Sequence, residues 1–203
     1  MERFEDLDLL HIDDELTDEE RMVRDTVRSW IEKRVMPYIE TWAWESVFPL
    51  ELVKEMADLD LLGAPYSEYG LPGLGAVAYG LINQELERGD AALRSFVSVQ
   101  TGLVMYPILQ WGSPQQRDRW IPALATGEAI GCFGLTEPDF GSNPVGMRTR
   151  AEHRGDHWTV CPCDTILPAF GAAVDIGTHS CGMDMPRGTV ESPNDLAGAG
   201  IDQ

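Results

Sequence analysis

The chain has 203 residues and a mass of 22.5 kDa, and 43% of its residues are apolar. This is enough to fill the core of one large domain, or of one domain and part of another. Asp and Glu number 34 against 15 Lys and Arg, which gives a formal charge of -19 and a pI near 4.4. Because such a charge repels polyanions, nucleic acids and acidic membrane surfaces are excluded as expected partners.

Residues 1–16 are predicted to form an acidic, flexible arm. Ten of the first 20 residues are acidic and Arg3 is the one basic residue among them, so the segment repels itself in solution. It shows no basic start followed by an apolar core and a cleavage site, which makes the cytoplasm the expected location. The longest uncharged stretch, residues 95–116, contains Pro107 and Gly112, so we expect a buried helix that breaks rather than a membrane span.

The first predicted helix begins at Thr17. Thr17 and Glu20 have the spacing of a capping box, and apolar residues then recur at helical spacing as far as Pro37. This helix opens a mainly α domain, which the later patterns extend over residues 17–129.

Two further helices are expected in the middle of this domain. One begins near Phe48 and is stopped by Gly63, with an apolar face between them. The other covers residues 76–88 and ends at Gly89, after which Asp90 can cap the next helix.

The last predicted helix of the domain starts at Ser113. Ser113 supplies an N-cap, a proline follows in the first turn, and Gln116 completes a capping box. Capping signals and apolar spacing therefore agree along the domain, which is evidence for one specified fold. The residues expected to fill its core are Trp30, Leu52, Met56, Leu81, Phe96 and Trp120.

Short strands replace helices over residues 130–160, which are interpreted as the start of a β domain. An apolar run ends at Leu135, and two more runs flank a Gly-Asp turn at 155–156. The predicted class is therefore mainly α, with a helical domain followed by the opening strands of a β domain.

Residues 161–203 fit neither pattern and are predicted to be disordered. They contain four prolines, six glycines and one basic residue, so they offer little apolar surface to offset the entropy cost of ordering. Cys161, Cys163, His179 and Cys181 lie in this tail, but spacings of one residue are a poor match to zinc sites. We expect free thiols and no metal site.

The stretch Gly-Cys-Phe-Gly-Leu-Thr-Glu-Pro-Asp-Phe-Gly-Ser at 131–142 places a threonine and a glycine-bearing loop after a strand. It offers backbone donors, a hydroxyl and close approach to a flat ligand, because Gly141 permits backbone geometries that other residues resist. On spacing alone, an ordinary strand-to-loop exit is the favoured interpretation. The whole block nevertheless resembles the flavin-binding signature of the acyl-CoA dehydrogenases, and the helices before it resemble their N-terminal helical domain in order and length.

Within that family the chain looks most like the glutaryl-CoA dehydrogenase branch. The stretches that carry this likeness are Gln-Glu-Leu-Glu-Arg-Gly-Asp at 84–90, Leu-Arg-Ser-Phe-Val-Ser-Val-Gln at 93–100 and Val-Met-Tyr-Pro at 104–107. The resemblance implies FAD as cofactor, an acyl-CoA thioester as substrate, and oxidative decarboxylation of glutaryl-CoA to crotonyl-CoA with hydride transfer to FAD. Intact relatives are homo-oligomers, and the resemblance leaves the state of this chain open.

The resemblance also assigns roles to single positions of the block. Phe133, Leu135 and Thr136 match a strand segment that lies against the flavin ring. Ser142 matches a loop position that touches both the cofactor and the thioester substrate, and Gly141 matches a backbone position beside the cofactor.

Arg94 matches an arginine that holds the distal carboxylate of the substrate in the glutaryl branch, with Ser95 adjoining it and Glu87 nearby. A charge-assisted pair of an arginine with a carboxylate is suited to selecting a dicarboxylic acyl chain. Without the resemblance, solvated helix charges are the better interpretation of Arg94 and Glu87. However, Arg94 lies in an apolar run at 91–99, so in a packed helix it either extends to solvent or has a partner.

The likeness stops at Cys161, where the strand expected in a family member does not continue. In the family, the later C-terminal bundle supplies the glutamate that removes the α-proton and much of the grip on FAD. We therefore expect a truncated chain with no catalytic base, and weak or absent FAD binding. The alternatives are a non-catalytic truncated or frame-shifted fragment, or a helical module that binds a partner.

Overall fold

The computed structural model of the chain describes residues 11–148, 150–153, 158–161, 167–168 and 189–190, and from residue 150 onward only the backbone is described. Helices occupy most of the described residues as far as 125, and short strands follow. The predicted class, mainly α with opening β strands, is thus confirmed. In the described ranges, no helix combines the length and the apolar character needed to cross a membrane.

The helices follow one another closely along the chain. The α-helices are α1 (Ile12–Glu15), α2 (Asp18–Arg34), α3 (Ile39–Glu45), α4 (Glu51–Asp58), α5 (Ala76–Gly89), α6 (Ala91–Ser98), α7 (Tyr106–Trp111) and α8 (Pro114–Ala125). A 3₁₀ turn at Glu68–Gly70 lies in the loop before α5, and a π-helix at Val99–Met105 lies between α6 and α7.

The strands are short and antiparallel. They are β1 (Gly134–Thr136), β2 (Arg150–His153), β3 (Trp158–Cys161), β4 (Leu167–Pro168) and β5 (Thr189–Val190). β2 and β3 pair with Ala151 opposite Val160, and β3 also pairs with β5. β1 pairs with β4 in a separate two-stranded sheet. The antiparallel pairing of β2 with β3 agrees with the two strand-forming runs predicted on either side of the Gly-Asp turn, whose own residues lie outside the described part.

The chain divides into two compact units, and each unit is built from two stretches of sequence. The first unit contains Met1–Pro49 and Ala64–Val97, and the second contains Leu50–Gly63 and Ser98–Gln203. Helix α4 therefore belongs to the second unit, although its sequence lies between helices of the first.

Helix α2 packs against α5 in the first unit. The approach is close at Gly89, because a Cβ at that position would lie 2.7 Å from Cγ2 of Ile31. A glycine is thus required where the end of α5 meets α2. The buried apolar side chains of this unit are Leu16, Val27, Ile31, Val35, Ala64, Ala78, Leu81, Ile82, Leu86, Leu93 and Val97.

The predicted capping box at the start of α2 is confirmed. The Thr17 hydroxyl accepts a hydrogen bond from the Glu20 N–H at 3.3 Å, and the Glu20 carboxylate accepts one from the Thr17 N–H at 2.8 Å. The backbone bond from Thr17, followed by the bond from its hydroxyl, lowers the pKa of the Glu20 carboxyl. The cap is thus tied to ionisation of this carboxylate.

Helix α8 contacts α7 and the π-helix in the second unit. Its start has the predicted capping box, in which the Ser113 hydroxyl accepts from the Gln116 N–H and the Gln116 side chain accepts from the Ser113 N–H. Satisfied helix ends and an apolar interior therefore occur together, as the pattern predicted. The buried apolar side chains of this unit are Leu52, Val53, Met56, Ala57, Leu61, Leu62, Met105, Leu109, Trp120, Ile121 and Leu124.

Helix α4 is shorter than predicted. It ends at Asp58, five residues before Gly63. Asp60 has a φ of 56°, in the left-handed region, so the chain leaves helical geometry there. Gly63 has a φ of 80° and takes part in the turn, but it is not the residue that ends the helix.

The predicted flexible arm is folded at its end. Residues 11–16 include α1, and Leu16 is 7% exposed. The guanidinium of Arg24 donates hydrogen bonds to the carboxylates of Asp13 and Asp25, and the bond to Asp13 is the main cause that raises the pKa of Arg24. The acidic residues 11–16 are therefore held to α2 by the ion pair between Asp13 and Arg24. Residues 1–10 lie outside the described part.

Four of the six predicted core residues are buried, and two are not. Leu52, Met56, Leu81 and Trp120 are at most 9% exposed. Trp30 and Phe96 are only half-buried: tryptophan is so large that it is seldom covered completely, and the Phe96 ring packs against that of Phe48, with the ring centroids 5.3 Å apart. The prediction of core positions was wrong at these two aromatic residues.

The predicted disorder of residues 161–203 lies mostly outside the described residues. The described positions in that segment are Cys161, Leu167–Pro168 and Thr189–Val190, all of which belong to strands. For the rest of the tail, disorder stays a prediction.

Candidate functional site

The residues predicted to contact substrate and flavin belong to different units, and each set is described within its own unit. In the first unit, Nε of Arg94 on α6 donates a hydrogen bond of 2.6 Å to Oε2 of Glu87 on α5. Between them, Asp90 ends α5 and accepts a bond of 2.9 Å from the Ala92 N–H at the start of α6. The turn that Asp90 caps thus brings two sequence-predicted residues together.

The pair of Arg94 and Glu87 is open to solvent. The two side chains are 38% and 49% exposed, and ion pairs of this kind contribute about 0–1 kcal/mol. Arg94 therefore shows both of the outcomes expected for it, because its side chain reaches solvent and also pairs with a carboxylate of the protein. The bond to Glu87 uses one of the five N–H donors of a guanidinium, so a ligand carboxylate would compete at small cost.

Ser95 directly follows Arg94 on α6 and is half-buried. Its position agrees with the prediction that it adjoins the arginine. A hydroxyl at this point adds a short polar group beside a charged one.

A buried carboxylate in the same helix as Glu87 was missed by the sequence analysis. Glu85 is 0% exposed and accepts bonds from Arg28 at 3.1 Å and 2.8 Å and from Arg88 at 2.8 Å. Arg28 lies on α2, 57 residues away in sequence. Two guanidinium groups thus hold the α5 carboxylate from two helices, and no local pattern reveals the bond to Arg28.

The segment predicted to face a flavin lies in the second unit. Phe133 precedes β1, and Leu135 and Thr136 lie within it, and all three are half-buried. The pairing of β1 with β4 shifts register between Gly134 and Thr136. The segment therefore presents partly covered apolar and hydroxyl side chains on an irregular strand.

The loop after β1 is organised around a buried glutamate. Glu137 is 2% exposed, and its Oε2 accepts a bond of 2.8 Å from the Arg148 N–H at the other end of the loop. The Glu137 carbonyl accepts from the Phe140 N–H at 3.0 Å. Phe140 in turn lies under the Arg148 guanidinium, 5.3 Å from the ring centre, and against Gly146. Gly141 and Ser142 lie in this loop, and these contacts at Glu137, Phe140 and Arg148 hold its backbone.

Gly141 and Ser142 are exposed on that loop. The proposed reason for Gly141 was wrong in one respect, because it is not among the glycines with positive φ. A Cβ at Gly141 would meet nothing within 4 Å in the described protein. The described residues thus leave the space above Gly141 open, and close approach of a ligand there stays a prediction.

These residues combine half-buried apolar side chains, a strand hydroxyl, an exposed serine and open space above a glycine. Their contact with a flavin stays a prediction. The described residues hold no group of three or more His, Cys, Asp and Glu side chains placed for a metal ion. The side chains of Cys161, Cys163, His179 and Cys181 lie outside that description, so the prediction of no metal there stays a prediction.

Comparison with known proteins gives consistent matches over the same part of the chain. Residues 17–128 match the family described as acyl-CoA dehydrogenase, N-terminal domain. A glutaryl-CoA dehydrogenase of Desulfococcus multivorans is 35% identical over 151 residues, which cover 72% of this chain and 39% of that protein. The mitochondrial short-chain specific acyl-CoA dehydrogenase of Rattus norvegicus is 37% identical over 147 residues, with 72% and 36% covered.

A solved structure gives a higher identity. The glutaryl-CoA dehydrogenase of Mycobacterium smegmatis in complex with FADH2 has a TM-score of 0.74 and 49% sequence identity, covering 76% of this chain and 40% of that chain. The chain thus spans about two fifths of the length of the relatives it matches.

Proposed function

Because this chain belongs to the acyl-CoA dehydrogenase family through its N-terminal domain, we propose that it is part of a flavin-dependent glutaryl-CoA dehydrogenase. The reaction would remove the proton beside the thioester, transfer a hydride from the next carbon and release the distal carboxylate as carbon dioxide. A proton would then return to the carbon that carried the carboxylate, giving crotonyl-CoA. Bound FAD would accept the hydride. The proposal rests on the relatives for the reaction and on the residues of this chain for the substrate.

The observation that carries the choice of substrate is the exposed arginine on α6. In the proposal, Arg94 binds the distal carboxylate of the acyl chain, and Glu87 holds the guanidinium in place until the substrate arrives. Since the pair is solvent-exposed, exchanging one carboxylate for another costs little. An uncharged acyl chain offers no such partner, so the arginine favours a dicarboxylic substrate. Ser95 would add a hydrogen bond beside it.

The second unit would provide one face of the cofactor site. Phe133 and Leu135 would pack on the ring, the Thr136 hydroxyl would bond to its polar edge, and Gly141 would allow close approach. Ser142 would contact both cofactor and thioester. Exposure of Ser142 and the free space above Gly141 support these roles, because a flat ligand needs both.

In the family, the glutamate that removes the proton lies in the C-terminal bundle. Residues 17–160 of this chain do not match that part of the relatives. Glu137 and Asp139 lie near the flavin segment, but the resemblance gives neither a proton-transfer role. General-base removal of a proton contributes about a hundred- to ten-thousand-fold in rate. We therefore expect the 203-residue chain alone to lack activity, and the experiment uses a longer protein.

The test replaces the matching part of the Mycobacterium smegmatis relative with residues 17–160 of this chain. The purified chimera should hold FAD and oxidise glutaryl-CoA in preference to an uncharged acyl-CoA of similar length. Arg94→Ala in the chimera should lower that preference by about tenfold or more, because a charge-assisted bond is lost. Arg119→Ala, an exposed arginine on α8, serves as the matched control and should leave the ratio unchanged.

Two results would count against the proposal. A folded, flavin-loaded chimera that does not oxidise glutaryl-CoA would rule out the reaction. A chimera that is active but keeps its substrate ratio after Arg94→Ala would remove the role given to the arginine.

A further inference from the structure

The π-helix of the second unit buries two polar side chains next to each other. Gln100 is 2% exposed and Thr101 is 1% exposed. A π-helix turn accommodates an extra residue, which changes the face that the following side chains present. Polar groups buried in this way are costly unless they form hydrogen bonds, so their partners are informative.

Gln100 forms a two-point contact with one peptide unit. Its Nε2 donates to the Gly131 carbonyl at 2.7 Å, and its Oε1 accepts from the Gly131 N–H at 2.9 Å. Both ends of the side-chain amide are therefore matched to the donor and the acceptor of a residue 31 positions away. A two-point contact restricts orientation as well as distance.

The π-helix also restricts Gly131 by direct contact. A Cβ at Gly131 would overlap with Cγ1 of Val104, one helical turn from Gln100. The Gly131 peptide is thus held by hydrogen bonds from one residue of the π-helix and by packing from another. Phe133 follows two residues later, and β1 begins at Gly134.

We propose that Gln100 is a positioning residue that sets where the flavin-facing segment 133–136 begins, by fixing the Gly131 peptide against the π-helix. The part of this inference that names a flavin rests on the proposed function. The anchoring itself rests on the hydrogen bonds and packing of this chain. A single residue, Cys132, separates the anchored Gly131 from Phe133, and this is too little chain to absorb a displacement.

Thr101 provides an internal comparison. Its hydroxyl accepts a hydrogen bond of 3.1 Å from the Gly63 N–H, in the turn after α4. This contact is equally buried and belongs to the same π-helix, but it holds a different loop. Removing it should therefore disturb the turn at Gly63 and leave the segment after Gly131 in place.

The test measures amide hydrogen exchange in the complete 203-residue chain without FAD. Gln100→Ala should speed exchange of the amides at 131–136 by about tenfold or more, while the amides of α8 keep their rates. Thr101→Val, the matched control, should speed exchange at Gly63 and leave 131–136 unchanged. Unchanged exchange at 131–136 in Gln100→Ala, or equal acceleration there and in α8, would overturn the proposal.

Gln100→Glu decides the question if the alanine variant does not fold. The carboxylate keeps an acceptor for the Gly131 N–H but has no amide to donate to the carbonyl. Relative to the unchanged chain, exchange at 131–136 should therefore again be accelerated more than exchange in α8. No difference between the two regions would overturn the anchoring. FAD binding by the chimera with residues 17–160 is a separate readout: if the chimera binds no FAD, the proposed function fails, whatever the exchange rates show.

Discussion

Removing the buried carboxylate of Glu85 is the sharpest test of the packing in the first unit. Glu85 is the one point at which two guanidinium groups, those of Arg28 and Arg88, meet a fully covered acid in the described structure. Glu85→Ala leaves both without this partner and opens a cavity. The variant should still fold, but with a lower free energy of unfolding.

The expected size of the effect follows from the exposure of the partners. Breaking a buried ion pair by removing one member costs about 3–5 kcal/mol when the remaining charge is fully buried. The Arg28 side chain is 26% exposed and that of Arg88 is 37% exposed, so water reaches both. Because of this solvent exposure, the bond of Arg88 to Glu85 contributes about as much to stability as a surface ion pair. We therefore expect Glu85→Ala to lower the free energy of unfolding by about 2–4 kcal/mol.

The assay is urea unfolding followed by circular dichroism, with stability obtained by linear extrapolation. Glu87→Ala is the matched control, because Glu87 lies on the same helix and also pairs with an arginine, but is 49% exposed. It should change stability by about 0.5 kcal/mol or less. A double-mutant cycle with Arg28→Ala should give a coupling energy of about 1 kcal/mol or more.

Two outcomes would refute this reasoning. If Glu85→Ala and Glu87→Ala lowered the free energy of unfolding by the same amount, burial of the Glu85 carboxylate would not explain its contribution to stability. If the cycle with Arg28→Ala gave no coupling, the bonds between the two side chains would contribute nothing measurable.

Three further predictions concern the cofactor, the cap and the flavin segment. The 203-residue chain should bind FAD weakly or not at all, and stoichiometric FAD after gel filtration would contradict this. A mixture of the chain, FAD and glutaryl-CoA should show no flavin bleaching above a free-FAD control. Bleaching that disappears in Glu137→Gln would contradict that expectation. The pKa of Glu20 is lowered in the folded state, so its contribution to stability is present above the unfolded pKa and is lost as pH falls through the folded pKa. Glu20→Gln should therefore flatten the acid side of the curve of stability against pH, and an unchanged slope would argue against the cap. Gly131→Ala should destabilise the chain by about 1–3 kcal/mol through overpacking against Val104, and adding Val104→Ala should restore part of the loss.

Sequence patterns predicted the features that depend on neighbouring residues. Both capping boxes are complete within four residues, so Thr17 and Ser113 could be identified from spacing alone. The turn at Asp90 is local in the same sense, and it placed Glu87 and Arg94 on adjoining helices. Local patterns were thus sufficient for these two helix starts and for the turn at Asp90, whereas the roles predicted for Glu87 and Arg94 came from the family resemblance.

The features that escaped prediction depend on distant partners or on subtle backbone geometry. Glu85 pairs with Arg28 across 57 residues and Gln100 with Gly131 across 31, and the sequence next to each residue does not reveal these distant partners. The π-helix has the same apolar composition as an α-helix, so its changed register is not visible in the sequence. Helix α3 was missed because its aromatic residues do not form a buried face; Trp44 is 91% exposed.

The interleaved order of the two units has a consequence for synthesis on the ribosome. Helix α4 is made before most of its own unit, and its turn at Gly63 bonds to Thr101, 38 residues later. At translation rates of about 5–20 residues per second, this delay is about 2–8 seconds. During that time the apolar face of Leu52, Val53 and Met56 has no completed unit to enter. We expect this face to need the protection of a chaperone until the rest of its unit has been synthesised.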